Sequence, residues 1–297
     1  MLKIINIICI LLVIIIVLCI LESIRENNKF YIKEYNVSHA KVPASFDNTH
    51  LVIIADWHNA CFGKDNSNFI EKIKSLQPDY ILIAGDMIVC RNHTADKVRR
   101  TARMLKQISE IAPVYYAYGN HEFGVREQLH DTEGLWDIYT NELDLKNHTN
   151  IHMLDNERIV IDKDTDKICI SGLTLDREYF KRFVIKQLDK DMVNNICCED
   201  GAFNILLAHN PDYFNTYADA GADLVFSGHN HGGMIRLPIL GGVISPRFHI
   251  FPKYDRGFYN KDDSIMILSG GLGTHSVPIR VNNIPEILSV QLHNIAK

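Results

Sequence analysis

The chain has 297 residues, of which 46% are hydrophobic, 23% charged and 9% aromatic. This balance is typical of a folded globular protein, and it excludes a disordered chain, a collagen-like chain and a membrane protein with many spans. The formal net charge of -5 gives no overall positive field, so we expect no nucleic acid partner.

The chain begins with a long apolar stretch. Residues 4–21 contain one polar side chain, Asn6, and the stretch ends at Glu22. Its length matches a short transmembrane helix, and we predict a single-pass N-terminal anchor over residues 1–24. The alternatives are a cleaved signal peptide, which usually has a shorter apolar core, and a buried core helix, which is rarely apolar on all sides.

The side of the membrane on which the rest of the chain lies is given by conflicting signals. Arg25, Lys29 and Lys33 come after the apolar stretch and outnumber Lys3 before it, which favours a cytoplasmic domain. N-terminal anchors of this length, however, often export the domain that they carry. We expect a location at the cell membrane, with a lean towards the extracytoplasmic side. The seven cysteines have no regular spacing and indicate no disulfide framework.

Residues 25–48 are polar and mixed, and we predict a linker there, followed by one domain over residues 49–297. In that domain, short apolar runs alternate with amphipathic stretches, as is typical of a layered α/β domain. Strands are expected at 51–55, 80–84, 114–118, 168–173, 203–208, 223–227, 234–237, 265–269 and 287–292, and helices at 66–76, 95–111, 177–195 and 213–220.

Five of these strands are followed directly by side chains that bind divalent metals. Because ligands of an open α/β sheet bind beyond the carboxyl ends of its strands, we expect these side chains to meet at one edge. Imidazole, carboxylate and amide donors fit manganese, iron, zinc or nickel. Seven donors exceed one tetrahedral site and suit two adjacent metal ions that clamp a phosphate ester. The seven are Asp56, His58, Asp86, Asn120, His209, His229 and His231.

These residues resemble the motifs of the calcineurin-like metallophosphoesterase superfamily. Its pattern of D-x-H, G-D-x-x-D, G-N-H-D/E, an isolated His and G-H-x-H is matched at 56–58, 85–90, 119–122, 209 and 228–231. The runs GHNHGGMIRLP and SGGLGTHSVPIR look like the bacterial membrane-anchored branch. Cys90 replaces the second aspartate of G-D-x-x-D, a position that supports the site, while all seven ligand positions are intact.

The resemblance implies a fold, two metal sites and their ligands. The fold is a four-layer α/β/β/α sandwich, preceded here by one N-terminal transmembrane helix. Manganese is the expected metal, with iron, zinc or nickel as alternatives, and Asp86 would bridge the two ions. One ion would be held by Asp56, His58, Asp86 and His231, and the other by Asp86, Asn120, His209 and His229.

The resemblance also implies roles in catalysis. His121 would act as the general acid that protonates the leaving oxygen, and Asn120 would hold a phosphate oxygen as well as a metal. Arg236 and Arg280 lie in family-like runs, so both are candidates for gripping the substrate.

Together, the apolar stretch and the motifs predict a membrane-anchored hydrolase of phosphate mono- or diesters. The anchor favours a lipid-linked or cell-envelope substrate, such as the pyrophosphate of a UDP-diacylglucosamine that some relatives cleave. One alternative is a nucleotide phosphodiesterase with a soluble substrate. Another, of a different class, is a catalytically silent membrane protein that binds metal for stability. The sequence gives no oligomeric state.

Residues 241–260 are rich in aromatic and basic side chains. They are expected either to pack over the edge of a sheet or to dip towards lipid. His275, further along, is interpreted as either a loop histidine or a residue that approaches the site.

Overall fold

The computed structural model describes residues 2–91, 94–130, 132–181, 186–198, 201–245, 249–274 and 278–295, so His275 lies outside the described residues. Its helices are α1 (Leu2–Asn27), α2 (Ser67–Leu76), α3 (Ala95–Ser109), α4 (Asn120–Arg126), α5 (Leu135–Leu143), α6 (Lys190–Asn194) and α7 (Phe214–Asp219). Its strands are β1 (Tyr31–His39), β2 (His50–Ile54), β3 (Tyr80–Ala84), β4 (Val114–Ala117), β5 (Ile151–Leu154), β6 (Glu157–Lys163), β7 (Asp166–Leu173), β8 (Phe203–Ala208), β9 (Leu224–Ser227), β10 (Ile235–Leu237), β11 (Gly241–Ile244), β12 (Gly257–Lys261), β13 (Ser264–Leu268) and β14 (Glu286–Asn294).

Two six-stranded sheets form the centre of the domain. The first has the order β1-β14-β2-β3-β4-β5, and the second has the order β12-β13-β9-β8-β7-β6. Strands β2 to β5 run parallel to one another, as do β7, β8, β9 and β13. The carboxyl ends of neighbouring strands therefore lie side by side in each sheet. Strands β10 and β11 form a separate antiparallel hairpin.

Successive side chains of the buried strands point to opposite faces of their sheet, so each sheet packs against the other sheet on one face and against helices on the other. In β2, Leu51 and Ile53 pack in the core between the two sheets, whereas Val52 and Ile54 pack in the core that includes side chains of α2 and α3. In the second sheet, Leu206 of β8 packs with α7 on the outer face. The predicted α/β/β/α sandwich is confirmed.

The segment 25–48, predicted to be a linker, is instead part of the domain. β1 pairs in parallel with β14 from Tyr31 opposite Glu286 to His39 opposite Asn294, and Val37 is buried. The linker prediction was wrong because β1 is an edge strand that leaves one face to solvent. Such a strand needs few apolar residues and gives a weak sequence signal.

Helix α1 carries the predicted anchor and is fixed to the domain at its C-terminal end. Residues Lys3–Asn27 are long and apolar enough to span a membrane, and the span is not buried against the rest of the chain. Ser23 Oγ donates to the carbonyl of Pro278 (2.9 Å) and accepts from the Arg280 N–H (3.0 Å). Asn27 also donates to the carbonyl of Pro278 (2.9 Å). The helix end and the loop 278–283 therefore form one connected unit.

The helix predicted over 177–195 is wrong as a single element. Asp176 caps a short 3₁₀ turn at Arg177–Phe180, and Asp189 separately caps α6. Two capping aspartates start two short helices, with extended backbone at Lys181 after the first.

Cysteine spacing gave no sign of a disulfide, yet Cys169 on β7 is bonded to Cys198. The two residues are 29 positions apart in sequence, and only the fold brings them together.

The layered core predicts the cost of removing an aromatic ring from it. Phe226 is fully buried between the sheets, so Phe226→Ala should lower the free energy of unfolding by about 3–5 kcal/mol. Phe258 on β12 of the same sheet is 41% exposed, and Phe258→Ala should cost less than about 1 kcal/mol. Urea unfolding of the full chain in detergent, monitored by circular dichroism, measures both. Equal losses of unfolding free energy in the two variants would contradict the placement of Phe226 between the sheets.

Candidate metal centre

The predicted metal ligands lie just beyond the ends of β2, β3, β4, β8 and β9, and six of the seven, together with His121, fall into three groups. Their donor atoms lie within 4.8 Å of one another inside each group. One group holds three of the four ligands predicted for the first metal, and another holds three of the four predicted for the second. The groups are Asp56, His58 and His231; Asp86, His209 and His229; and, linking these two, His58, Asp86 and His121.

Hydrogen bonds to main-chain carbonyls set the tautomers of two histidines. His209 Nδ1 lies 2.7 Å from the oxygen of Ala84, and His231 Nδ1 lies 3.2 Å from the oxygen of Gly273. A carbonyl only accepts hydrogen bonds, so each Nδ1 carries the hydrogen. In the neutral ring, Nε2 then presents a lone pair.

Both lone pairs face carboxylate oxygens. His209 Nε2 is 2.9 Å from Asp86 Oδ2, and His231 Nε2 is 3.3 Å from Asp56 Oδ1. A lone pair and a carboxylate repel each other unless a proton or a metal ion lies between them. Burial lowers the pKa of His209, but Asp86 and then Asp56 outweigh burial and raise that pKa to about 9. The centre therefore attracts positive charge, and its donors fit divalent metals.

Asn120 adds an acceptor to the same centre. Its Oδ1 is buried and accepts no hydrogen bond from any residue that the structure describes. A buried amide oxygen without a partner is costly, and a metal ion would satisfy it.

The backbone at the centre is unusual. Asp56, His58, Asp86, His229 and His231 all have positive φ angles, between 49° and 73°. Residues other than glycine adopt this region rarely and at a cost, and such conformations cluster at functional sites. The surrounding contacts must therefore hold the ligands in place.

Glycines let the strand ends approach one another closely. A Cβ atom on Gly85 would lie 2.7 Å from Cα of Gly119, and one on Gly228 would lie 2.6 Å from Asp56 Oδ2. Side chains at these positions would push apart the loops that carry the predicted ligands.

Glu122 holds two of these loops together, a role that no sequence pattern assigned to it. Its carboxylate is fully buried and accepts five hydrogen bonds, four of them from main-chain N–H groups after β3 and β4. Burial and the charge of Asp86 raise the pKa of Glu122, while the bonds from Tyr116, Ile88 and Gly119 oppose that rise. The donors are Asp86 N (2.8 Å), Met87 N (2.6 Å), Ile88 N (3.1 Å), Gly119 N (2.8 Å) and Tyr116 Oη (2.8 Å).

The main chain of Cys90 orients His121. The Cys90 N–H donates to His121 Nδ1 at 3.0 Å, so the neutral imidazole carries its hydrogen on Nε2. The Cys90 side chain is buried, and burial together with the charge of Asp86 raises its pKa to about 11. Cys90 is therefore a neutral thiol, and its N–H supports the histidine.

The two predicted substrate arginines have other contacts. Arg280 is buried, and its guanidinium donates to the carbonyls of Gly270, Gly273 and Asn283. Gly273 is also the partner of His231, so Arg280 and His231 bind the same carbonyl. Arg236 pairs with Asp255 (2.8 Å) and donates to the carbonyl of Gly232. These contacts occupy both guanidinium groups, and substrate binding by either arginine stays a prediction.

Asn283 joins this centre to helix α1. Its Nδ2 donates to the carbonyls of His231 (2.6 Å) and Gly233 (2.5 Å). Its own N–H donates to the Glu26 carboxylate at 2.8 Å. One asparagine therefore spans from the end of the predicted anchor to the loop of a predicted ligand. No motif in the sequence signals this role.

Phe180 lies beside the second ligand group. Its ring centroid is 5.0 Å from that of His229 and 6.1 Å from that of His209. Asn210 donates to the neighbouring Tyr179 carbonyl at 2.9 Å, which fixes this turn to the loop after β8. Phe180 forms an apolar wall at the centre.

Residues 49–233 match the model of a family described as calcineurin-like phosphoesterase. The matched segment contains all seven predicted metal ligands and His121. Among curated proteins, the uncharacterized metallophosphoesterase YkuE of Bacillus subtilis is 26% identical over 261 residues, covering 86% of this chain and 82% of the relative. A Danio rerio transmembrane protein with metallophosphoesterase domain is also 26% identical over 261 residues, covering 85% of this chain but 55% of that protein.

Among solved structures, a dimetal phosphatase from Danio rerio matches with a TM-score of 0.45 and 10% identity. The match covers 82% of this chain and 99% of that one.

The hydrogen bonds of Glu122 predict the effect of Glu122→Gln. The amide NH₂ would face main-chain donors, leaving some of them unsatisfied in the interior. We expect a loss of about 1–3 kcal/mol in the free energy of unfolding and a 10- to 100-fold loss, to order of magnitude, in Mn²⁺ affinity. Thermal unfolding and titration calorimetry measure the two.

The matched control is Glu127→Gln at the exposed end of α4, where the side chain contacts Arg126. It should leave both quantities unchanged. A Glu122→Gln chain with unchanged Mn²⁺ affinity would contradict the positioning role.

Proposed function

Because this chain belongs to the calcineurin-like phosphoesterase family, it is a metal-dependent phosphoester hydrolase, and we propose that it is anchored in a membrane and acts on a lipid-linked phosphate ester. The observation that carries the catalytic part is the convergence of two groups of donors around Asp86. We assign one divalent ion to Asp56, His58, Asp86 and His231, and the other to Asp86, Asn120, His209 and His229.

Residues of the protein then have separate roles in hydrolysis. Divalent ions held by the assigned residues would neutralise phosphate charge and lower the pKa of the attacking water, and manganese is our first choice. The Nε2–H of His121 donates a hydrogen bond to the leaving oxygen and stabilises the negative charge that develops there as the phosphorus–oxygen bond breaks, and solvent supplies the proton that this oxygen finally takes up. The Cys90 N–H keeps that hydrogen on Nε2 by occupying Nδ1. Asn120 binds a phosphate oxygen through its amide nitrogen.

Helix α1 supports the membrane anchor. It contains a candidate span at Lys3–Asn27 whose apolar side chains are exposed. The name of the Danio rerio relative, a transmembrane protein, also supports an anchor.

The contacts of Asn283 support a substrate that lies in the membrane. They connect Glu26 at the end of α1 with His231 at the centre through one residue. A centre this close to the end of the anchor is within reach of lipid headgroups. A lipid pyrophosphate of the UDP-diacylglucosamine type is the first substrate to test.

The disulfide Cys169–Cys198 supports an extracytoplasmic domain. Disulfides persist in oxidising compartments and are rare in the cytosol. The N-terminal anchor favours the same side of the membrane, because such anchors often export the domain that they carry.

The full chain in detergent with Mn²⁺ should hydrolyse bis-p-nitrophenyl phosphate, and chelation should abolish turnover. His121→Ala should slow turnover about 100- to 1,000-fold while the chain keeps its metal, because we assign His121 to the leaving oxygen and not to a metal. His148→Ala, in the loop before β5, is the control and should be fully active. Release of p-nitrophenol and the metal content of the purified chains measure the effects.

No turnover with any divalent metal in a folded sample would contradict the catalytic proposal. Loss of metal from His121→Ala would contradict the role given to His121. The same preparation compares UDP-diacylglucosamine in vesicles with cyclic nucleotides in solution. Faster turnover of the nucleotides would favour the soluble phosphodiesterase instead.

The extracytoplasmic proposal predicts that protease added to intact cells degrades the domain and that the disulfide is present in the cell. Immunoblotting detects the domain, and mass spectrometry of chains alkylated without reduction identifies the peptide pair of Cys169 and Cys198. Protection of the domain until the cells are permeabilised would place it in the cytoplasm.

A further inference from the structure

Six exposed apolar side chains gather on the segments near the end of α1. The structure describes nine large apolar side chains beyond α1 that are exposed, and these six are among them. Each is at least 42% exposed, and Ile239 is fully exposed. We name this set the apolar rim: Leu237, Ile239 and Leu240 at the tip of the β10–β11 hairpin, with Ile250, Phe251 and Ile279.

Main-chain hydrogen bonds connect the hairpin with the loop that holds α1. The Arg236 N–H donates to the carbonyl of Val281, and the Val281 N–H donates to the carbonyl of Met234, both at 3.0 Å. The Phe251 N–H donates to the carbonyl of Val243 on β11 at 2.8 Å. Because Ser23 binds residues 278 and 280 of the same loop, the rim has a fixed position relative to the helix.

The length of α1 indicates at which depth of a bilayer the apolar rim would lie. The apolar residues 4–21 span about 27 Å as a helix, close to the thickness of the hydrocarbon layer. Ser23 then lies at the level of the headgroups. Ile279 stands between Pro278 and Arg280, the two residues that Ser23 contacts, so it lies at that level too.

An ion pair makes the base of the hairpin rigid. Arg236 on β10 pairs with Asp255, and Asp255 accepts from the Gly242 N–H on β11 at 2.7 Å. Arg236 also donates to the carbonyl of Gly232, next to His231. These contacts hold the two strands of the hairpin together below its tip. They also connect the hairpin with the loop of His231 at the metal centre.

We propose that the apolar rim inserts into the headgroup region of the leaflet from which α1 emerges. The proposal rests on the membrane anchoring in the proposed function. Continuity with α1 favours lipid as the occupant, because a surface next to the end of a spanning helix faces the bilayer. Lys253, exposed two residues after Phe251, adds attraction to anionic headgroups. The rim orients the metal centre with respect to the membrane.

A tryptophan reporter in the full chain tests this insertion. Ile239→Trp and, as the control, Val160→Trp are reconstituted in nanodiscs with lipids brominated near the headgroup. Val160 is also exposed and apolar but lies on β6, at the far edge of the second sheet. Bromine quenches only tryptophans that enter the lipid. The native residues Trp57 and Trp136 contribute a background, which the unsubstituted chain measures.

We expect brominated lipid to lower the added fluorescence of Ile239→Trp about twofold or more, and that of Val160→Trp hardly at all. Leu240→Trp is a second, independent reporter, and hydrolysis of bis-p-nitrophenyl phosphate verifies folding of each variant. Two unquenched rim reporters, or equal quenching of Val160→Trp, would overturn the proposal. A blue-shifted rim reporter that bromine does not quench would show burial against protein and would also overturn it.

Flotation of the unsubstituted chain with vesicles separates this proposal from the anchoring on which it rests. If the chain floats while its rim reporters are unquenched, the anchoring proposal stands and the insertion proposal is wrong. If the chain does not float, both proposals are wrong.

Discussion

The buried carboxylate of Glu122 is the interaction on which the metal centre depends. Parallel strands end in loops whose main-chain N–H groups have no partner in the sheet. At the ends of β3 and β4, one side chain accepts hydrogen bonds from four such groups and from a tyrosine. It thereby fixes Asp86 relative to Asn120 and His121. The positive φ angle of Asp86 is tolerable because these bonds hold its loop.

The elements predicted most accurately from the sequence are the strands that are buried on both faces. The runs at 80–84 and 203–208 are apolar on both faces, and β3 and β8 have those limits. The predicted metal ligands could be picked out because each lies within a few residues of the end of an apolar run, so the sheet brings them to one edge. Edge strand β1 escaped notice because a half-exposed strand needs few apolar residues. The 177–195 region was misjudged because two capping aspartates divide it.

Long-range contacts account for what sequence reasoning missed in the site. An arginine in a family-like run suggests a grip on phosphate, but Arg280 is buried among carbonyls that come from the folded chain. The role of Asn283 depends on residues more than 50 and 250 positions away. Glu122 lies within a recognisable motif, yet its partners are loops that meet only in the folded sheet. Local patterns carry no record of such partners.

The fixed end of α1 has a consequence for how the enzyme meets its substrate. A flexible tether of the length of residues 25–48 would let the domain roam over roughly 25–30 Å. The hydrogen bonds of Ser23 and Glu26 remove that freedom, and in the proposed membrane-anchored state they hold the centre at a fixed height above the bilayer. With the proposed lipid-linked substrate, encounters would be two-dimensional collisions. The rate would depend on the surface density of the substrate in the leaflet instead of its concentration in the surrounding water.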